Sequence, residues 1–232
     1  MTPADVARAT DLRAKAFRGG KGQDRDPFDH RCLHVLVENQ ATGALLATFR
    51  LLSFPTGAEV GECYSAQFYD LSPLAGYKAN LVEMGRFCLD PDCHDPDVLR
   101  ISWAALTRYV DSHAVGLLFG CTSFAGTDPA RYRDAFALLL DRHIGPEVWR
   151  PLAKSPDIVR FASRPANPAP DIKRAVQSLP PLLRTYLAMG GWVSDHAVID
   201  ADLGTMHVFT ALETPSVPTP RAKILRQIAG QG

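Results

Sequence analysis

Apolar runs of strand type alternate with helical segments along most of this chain, which narrows the folds it can form. Thr2 and Pro3 begin a helix that stops at Gly19-Gly20, and residues 33–37 and 44–52 flank the turn Thr42-Gly43 as a hairpin. Further strands are predicted at residues 81–89, 115–119, 192 onward and 206–212, and further helices from residue 95 onward and at residues 130–142 and 181–189. This order predicts an α+β (α/β-like) fold with helices on both faces of a mixed sheet.

The length of the chain bounds its organisation. Its 232 residues suffice for one hydrophobic core, so we expect residues 1–214 to form a single domain. Residues 144–180 hold seven prolines and little periodicity, which predicts a long irregular excursion. Residues 215–232 are expected to be a loosely attached tail with one short helix.

Composition and charge exclude several classes of protein. No run of about 20 apolar residues is present, and residues 1–20 lack the apolar stretch of a secretion signal, so we expect a cytoplasmic protein. The net charge of zero and the absence of a nucleic-acid motif argue against a nucleic-acid partner. Residues 131–184, however, hold ten Lys and Arg against five Asp and Glu. This excess is either an unevenly solvated surface or a basic face for a carrier protein or an anionic membrane.

Three carboxylates stand within six residues, at Asp24, Asp26 and Asp29. Because they repel one another, the loop needs a cation: an arginine or lysine, a metal ion or an ammonium substrate. A solvated acidic turn is the alternative. No metal is predicted, since the glycine and glutamate of a calcium loop and the paired spacing of a zinc finger are both absent.

The predicted strand at residues 81–89 carries two charges, Glu83 and Arg86, among apolar neighbours. Strand alternation predicts that Glu83 and Gly85 face one side and Arg86 the other. An isolated charge is costly to bury, so these two need ion-pair partners or a cleft. A structural ion pair, for instance with Arg50 on the hairpin, and a catalytic role both remain open.

Ordered blocks along the chain make it similar to a known family. The sequence resembles the ornithine N-acyltransferases that make the lyso form of ornithine lipid, members of the GNAT superfamily, and more distantly the N-acyl-homoserine-lactone synthases. The blocks that carry the resemblance are Leu12-Arg13 with Phe17, Asp26-Pro27-Phe28-Asp29-His30, Phe49-Arg50-Leu51-Leu52, Tyr64-Ser65, Val82-Glu83-Met84-Gly85-Arg86-Phe87, Leu118-Phe119-Gly120-Cys121-Thr122-Ser123-Phe124 with Gly126-Thr127-Asp128, and Pro180-Pro181-Leu182-Leu183-Arg184-Thr185-Tyr186 through Gly190-Gly191.

The resemblance implies a reaction and its participants. A (3-hydroxy)acyl group would pass from acyl carrier protein to the α-amino group of L-ornithine, by direct attack of the amine on the thioester. No cofactor would be bound, and the phosphopantetheine thioester of the carrier would be a co-substrate. Residues 89–96, after the central strand, contain no glycine and three acids, which suits a carrier-bound donor better than free coenzyme A. Peripheral contact with a membrane is left open.

Site residues follow from the same resemblance. Glu83 is expected to accept the proton of the attacking amine, and a backbone N–H near Phe87 or the hydroxyl of Ser123 to stabilise the oxyanion. Ornithine would be held at its ammonium groups by two carboxylates and at its carboxylate by an arginine. The implied catalytic residues are Glu83, Arg86 and Ser123, and the implied substrate-binding residues are Arg13, Phe17, Asp26, Asp29 and Arg50.

Other functions stay open on sequence alone. The tryptophan that homoserine-lactone synthases carry ahead of the acidic loop is missing, which argues against their sulfonium substrate. The same fold and donor could serve glycine, lysine or S-adenosylmethionine as acceptor. A non-enzymatic module that binds acyl carrier protein or lipid is the remaining alternative, and Cys88 or Cys121 as a nucleophile is disfavoured because buried thiols are usually inert.

Overall fold

A computed structural model describes residues 2–161 and 170–230 of the protein. The helices in these ranges are α1 (Pro3–Arg18), α2 (Pro96–Ser112), α3 (Arg133–Arg142), α4 (Ile172–Ser178), α5 (Pro181–Ala188) and α6 (Thr219–Ile228). The strands are β1 (Leu33–Glu38), β2 (Leu45–Phe54), β3 (Tyr69–Asp70), β4 (Asn80–Leu89), β5 (Val115–Ala125), β6 (Leu152–Ala153), β7 (Ile158–Arg160), β8 (Trp192–Asp200) and β9 (Thr205–Glu213).

The chain divides into two compact units. The first consists of residues 1–53, 82–115 and 218–232, and the second of residues 54–81 and 116–217. The longer strands lie in the order β1-β2-β4 in the first unit and β5-β9-β8-β7 in the second. The mixed sheet with its helices confirms the predicted α+β class. The interpretation of residues 1–214 as a single domain stays a prediction.

The first unit is built on α1 and the β1–β2 hairpin. Thr2 and Asp5 cap the start of α1 reciprocally, and the helix ends at Gly19, whose φ of 58° is easy only for glycine. The antiparallel register of the hairpin pairs His34 with Arg50. Arg13 is buried on α1, so the helix and the hairpin each bring an arginine into the interior of this unit.

The second unit is organised by the antiparallel pair β5–β9. Its register runs from Leu117 opposite Glu213 to Ala125 opposite Thr205. Strand β8 pairs with the other side of β9 and is interrupted by a bulge between Val193 and Ala197. The two short strands β3 and β6 form a separate small sheet that ties residues 69–70 to residues 152–153.

Two segments are more regular than their sequence suggests. The proline-rich excursion at residues 144–180 contains β6, β7 and α4, and β7 pairs with β8. The expectation of an irregular segment is therefore wrong for these elements. Residues 162–169 of the excursion lie outside the described part. The expected tail forms α6, and the Arg226 guanidinium donates from Nε and Nη2 to Asp111 of α2 at 2.8 and 2.9 Å. In the described ranges, no helix is long and apolar enough to span a bilayer.

Candidate active site

Arg13 anchors a network of buried ion pairs in the first unit. Its guanidinium bonds to Asp24 Oδ1 through Nε at 2.8 Å and Nη2 at 2.6 Å, and to Asp29 Oδ1 through Nη1 at 2.6 Å. The side chains of Arg13 and Asp24 are each only 1% exposed. One guanidinium therefore ties both ends of the acidic loop to α1, because its fork has donors enough for two carboxylates.

Arg50, on β2, is a second arginine of the network. It binds Asp26 as a fork, with Nη1 to Oδ1 and Nη2 to Oδ2 both at 2.6 Å, and Nη1 also reaches Asp29 Oδ1 at 2.7 Å. The cation that the acidic loop requires is thus supplied by arginines of the same unit. The alternative of a solvated acidic turn is wrong, since Asp24 and Asp29 are buried.

Arg86 joins the same loop through an unusual backbone. Its φ is 54°, a left-handed value that residues other than glycine seldom adopt. Its Nε donates to Asp24 Oδ1 at 3.0 Å and its Nη2 to Asp26 Oδ2 at 3.3 Å. Arg50, which also binds Asp26, lies against Gly85: a Cβ added at Gly85 would be 3.5 Å from Arg50 Nε. The prediction that Arg86 faces away from Gly85 is therefore wrong, because the left-handed residue interrupts the alternation of β4.

Glu83 lies buried in β4 and is 4% exposed. Its charge acts on the thiol of Cys32, and so do those of Arg50, Asp26 and Asp29. A carboxylate in this position can interact with a substrate amine where little water screens it. The site thus combines one buried carboxylate of β4 with arginines and aspartates already bonded to one another.

The arginines fix the charge state of the acidic loop. Burial alone would raise the pKa of Asp29, but hydrogen bonds from Arg13 and from the backbone N–H of Asp26 lower it to about 2. Burial would also raise the pKa of Asp26, but the hydrogen bond from Arg50 outweighs it, so the pKa of Asp26 is lowered as well. Both loop carboxylates are therefore ionised throughout the neutral range.

The thiols near the network are protonated at neutral pH. Burial raises the pKa of Cys32 to about 11 and that of Cys88 to about 12. Because the thiolate is the nucleophile, neither residue suits a covalent mechanism. Within the described ranges, no group of three or more His, Cys, Asp or Glu side chains is arranged to hold a metal ion.

Two of the predicted residues stand apart from these contacts. Phe17 is half-buried on α1, one turn after Arg13 and so on the same side of the helix. Ser123 is exposed on β5 in the second unit, opposite His207 of β9. The predicted residues that the structure brings into direct contact are Arg13, Asp26, Asp29, Arg50 and Arg86.

Comparison with known proteins supplies the family. Residues 10–104 match the acetyltransferase (GNAT) domain model. The chain is 33% identical over 215 residues to the L-ornithine N(alpha)-acyltransferase of Rhodobacter capsulatus, with 90% of this chain and 82% of that protein covered. The protein of the same name from Brucella abortus is 30% identical, with 86% and 73% covered. The chain belongs to the L-ornithine N(alpha)-acyltransferase family.

A solved structure agrees with the fold of this acyltransferase family member. The coenzyme-A-dependent acyl-homoserine lactone synthase BjaI, solved with SAM and isopentyl-CoA, superposes with a TM-score of 0.52 at 11% identity. The superposition covers 98% of this chain and 83% of that one. At this identity the likeness concerns the fold alone, and it extends well beyond residues 10–104.

Sequence reasoning missed the central position of Asp24 in this family member. Asp24 bridges Arg13 and Arg86, and its Oδ2 lies 3.4 Å from Arg18 Nε, yet of the three acids in the loop only Asp26 and Asp29 were expected to bind substrate. The clustering of three acids in six residues was a signal that included Asp24. His34 has a structural role: its Nε2 donates to the backbone oxygen of Asp29 at 2.9 Å and so fixes the loop to β1.

Proposed function

We propose that this protein transfers an acyl group from a thioester to the α-amino group of L-ornithine and so forms lyso-ornithine lipid. The observation that carries the proposal is the 33% identity to an L-ornithine N(alpha)-acyltransferase over 82% of that protein's length. The first unit supports it with a buried carboxylate, Glu83, and a network of arginines and aspartates.

The amine must lose a proton before or during attack on the thioester carbonyl. Glu83 is our candidate acceptor, directly or through a water, because it is the carboxylate that β4 holds in the interior. The high pKa values of Cys32 and Cys88 support direct attack rather than an acyl-enzyme. Ser123 remains our candidate oxyanion donor together with the backbone near Phe87.

The bonding of the acidic loop changes the role that we propose for it. Asp26 accepts bonds from Arg50 Nη1 and Nη2, from Arg86 Nη2 and from the N–H of Phe28. Four donors fill the lone pairs of a carboxylate, so an ammonium group would have to displace an arginine. Asp29 is filled in the same way, by Arg13, Arg50 and the N–H of Asp26.

We therefore infer that Asp26 and Asp29 act as positioning residues rather than as direct ligands of the substrate ammonium groups. They hold Arg50 and Arg86, and Arg86 has the more exposed side chain of the two, at 12% against 3%. Arg86 is our candidate for the substrate carboxylate, where a planar fork is well suited. Arg13 would keep the loop in place, and Phe17 would contact the aliphatic part of the acceptor.

The donor is the second part of the proposal. The N-terminus of α2, which follows β4, is capped by Asp95, whose Oδ1 accepts from the N–H of Asp97 at 2.9 Å. Asp90 and Asp92, just ahead of it, are bound by Lys15. These acids would repel the pyrophosphate of free coenzyme A, so we propose acyl carrier protein as donor and partner. Peripheral contact with a membrane stays a prediction.

Mass spectrometry tests the reaction. Purified protein is incubated with 3-hydroxyacyl carrier protein or 3-hydroxyacyl coenzyme A and with ornithine, lysine or glycine in parallel. We expect N-acylated ornithine, formed faster from the carrier protein than from coenzyme A. Equal rates with the three acceptors would refute the acceptor assignment, and an intact thioester in every reaction would refute acyl transfer.

Glu83→Gln tests the proposed proton acceptor. The variant keeps the size and hydrogen-bonding capacity of the side chain, so we expect a melting temperature near that of the wild type. Turnover should fall by roughly 100- to 10,000-fold. Asp11→Asn, an exposed change on α1, is the matched control and should leave turnover unchanged. Full turnover of Glu83→Gln would exclude the proposed role.

A further inference from the structure

Helix α6 of the first unit carries positive charge that its own segment does not balance. Residues 214–232 contain Arg221, Lys223 and Arg226 but no Asp or Glu. All three bases are exposed. Arg226 pairs with Asp111 of α2, whereas Arg221 and Lys223 have no ion pair within the described ranges. The helix therefore presents two uncompensated positive charges to solvent.

The apolar side of α6 is wider than its contact with α2. None of the ten residues of the helix is buried. Ala222, Leu225 and Ile228 are half-buried, and Ile224 is 54% exposed. Ile228 follows Ile224 by one turn, so these two side chains are neighbours on the surface of the helix. Helix α6 thus leaves Ile224 and part of Ile228 uncovered.

The ion pair between Arg226 and Asp111 determines which side of α6 faces α2. The Arg226 guanidinium donates to both carboxylate oxygens of Asp111, at 2.8 and 2.9 Å. Successive helix positions are about 100° apart, so Ile224, two positions earlier, projects about 160° away from Arg226. Arg221 lies one turn before Ile224. The side of α6 turned away from α2 therefore presents Arg221 and Ile224, with Lys223 beside them.

We propose that this side of α6 docks the protein on an anionic lipid surface. The bases complement the charge of the lipid headgroups, and each contributes roughly fivefold to binding. The exposed isoleucine between them favours lipid over an acidic protein, because it can enter the boundary between headgroups and acyl chains. Helix α6 is about 15 Å long, half of the hydrocarbon core, so it would lie in the plane of the surface.

The lipid surface would also receive the product of the acyl transfer proposed above, which is a lipid. The docking itself does not depend on that reaction, because vesicle binding is measured without substrates. Failure of acyl transfer and failure of docking are therefore separate results.

Two helices of the chain supply a matched pair of variants. Lys223 and Ile224 are adjacent and exposed on α6, as Ile172 and Lys173 are on α4 of the second unit. The pair on α4 directly follows the acid Asp171, which caps that helix. Lys223→Gln/Ile224→Gln is the test, and Ile172→Gln/Lys173→Gln makes the same chemical change as its control. Glutamine suits a helix nearly as well as the residues it replaces.

Co-sedimentation with vesicles measures the docking. We expect the wild type to bind vesicles of equimolar phosphatidylglycerol and phosphatidylcholine at least tenfold more tightly than phosphatidylcholine alone, and to lose this binding as the ionic strength rises. Lys223→Gln/Ile224→Gln should bind the anionic vesicles at least tenfold more weakly. The control on α4 should bind them within about twofold of the wild type, and Lys223→Arg/Ile224→Leu should do the same.

Four results would overturn the proposal. They are no preference of the wild type for anionic vesicles, full binding by Lys223→Gln/Ile224→Gln, an equal loss in the control on α4, and unchanged vesicle binding combined with weaker binding of acyl carrier protein, which would assign this side of α6 to the carrier. If thermal denaturation shows the test variant to be unfolded, Arg221→Gln replaces it. Arg221 lies in the first turn of α6, where a base does not stabilise a helix, and its loss should weaken vesicle binding roughly fivefold.

Discussion

Replacing Asp29 with asparagine is expected to remove a stabilising charge from the centre of the ion-pair network. The pKa of Asp29 is lowered from 3.8 to about 2, because Arg13 and Arg50 favour its ionised form more than burial disfavours it. A shift of this size corresponds to about 2 kcal/mol of stability at neutral pH. Asparagine has nearly the same shape, so the charge is the main change.

The sign of the pH dependence follows from the lowered pKa. The unfolded carboxyl takes up a proton near pH 3.8 and the folded one only near pH 2, so the stabilisation is complete above about pH 5. It is lost as the pH falls from about 4 to 2. The free energy of unfolding of the wild type should therefore exceed that of Asp29→Asn by about 2 kcal/mol at pH 7, and the difference should shrink at low pH.

Urea denaturation of both proteins between pH 7 and pH 2.5 measures this difference. Asp11→Asn, at an exposed position of α1, controls for the loss of one negative charge and should shift stability by at most about 0.5 kcal/mol. Two results would refute the reasoning. One is a difference below about 0.5 kcal/mol at pH 7, and the other is a difference that stays constant down to pH 2.5.

Three further changes probe other parts of the structure. Arg13→Lys should lower the free energy of unfolding, measured by urea denaturation, by about 3 kcal/mol, because one ammonium group cannot replace a buried guanidinium that bridges two carboxylates. Unchanged stability would contradict the network. Cys32 should react with iodoacetamide at pH 8 roughly 100-fold more slowly than in the unfolded chain, since its pKa is raised from 9.0 to about 11; equal rates by peptide mass spectrometry would contradict the burial. Gly57→Ala should cost about 2 kcal/mol, because a Cβ would lie 1.7 Å from Leu74 O, whereas Gly76→Ala has open space and should cost little. Similar melting temperatures of the two alanine variants would contradict that packing.

Most of the regular elements were predictable because their signals are local. The helix start at Thr2-Pro3, the hairpin turn near Gly43 and the apolar run of β4 each depend on a few neighbouring residues. Strand β7 and helix α4 were missed within the proline-rich segment. Strand β7 is only three residues long and exists through its pairing with β8, a contact made across the chain.

The composition of the site was predictable, but its bonding was not. Acids clustered within six residues and charges inside an apolar strand both indicate compensation by opposite charges, and that compensation is found. Which arginine meets which carboxylate depends on how α1 and β2 pack, and no local pattern carries that information. The carboxylates of Asp26 and Asp29 consequently have their hydrogen bonds supplied by the protein, although the sequence alone left an ammonium substrate open as their cation.

Arg86 shows why alternation fails at this point. A left-handed φ costs about 1 to 3 kcal/mol for a residue other than glycine and persists only where surrounding contacts compensate for it. Those contacts are Asp24 and Asp26, whose own positions depend on Arg13 and Arg50. The conformation of one residue in β4 is thus set by a loop about 60 residues earlier in the chain. Since the same loop bonds hold Arg86 and Arg50 beside Gly85, the strain and the arrangement of the proposed acceptor site have a common cause.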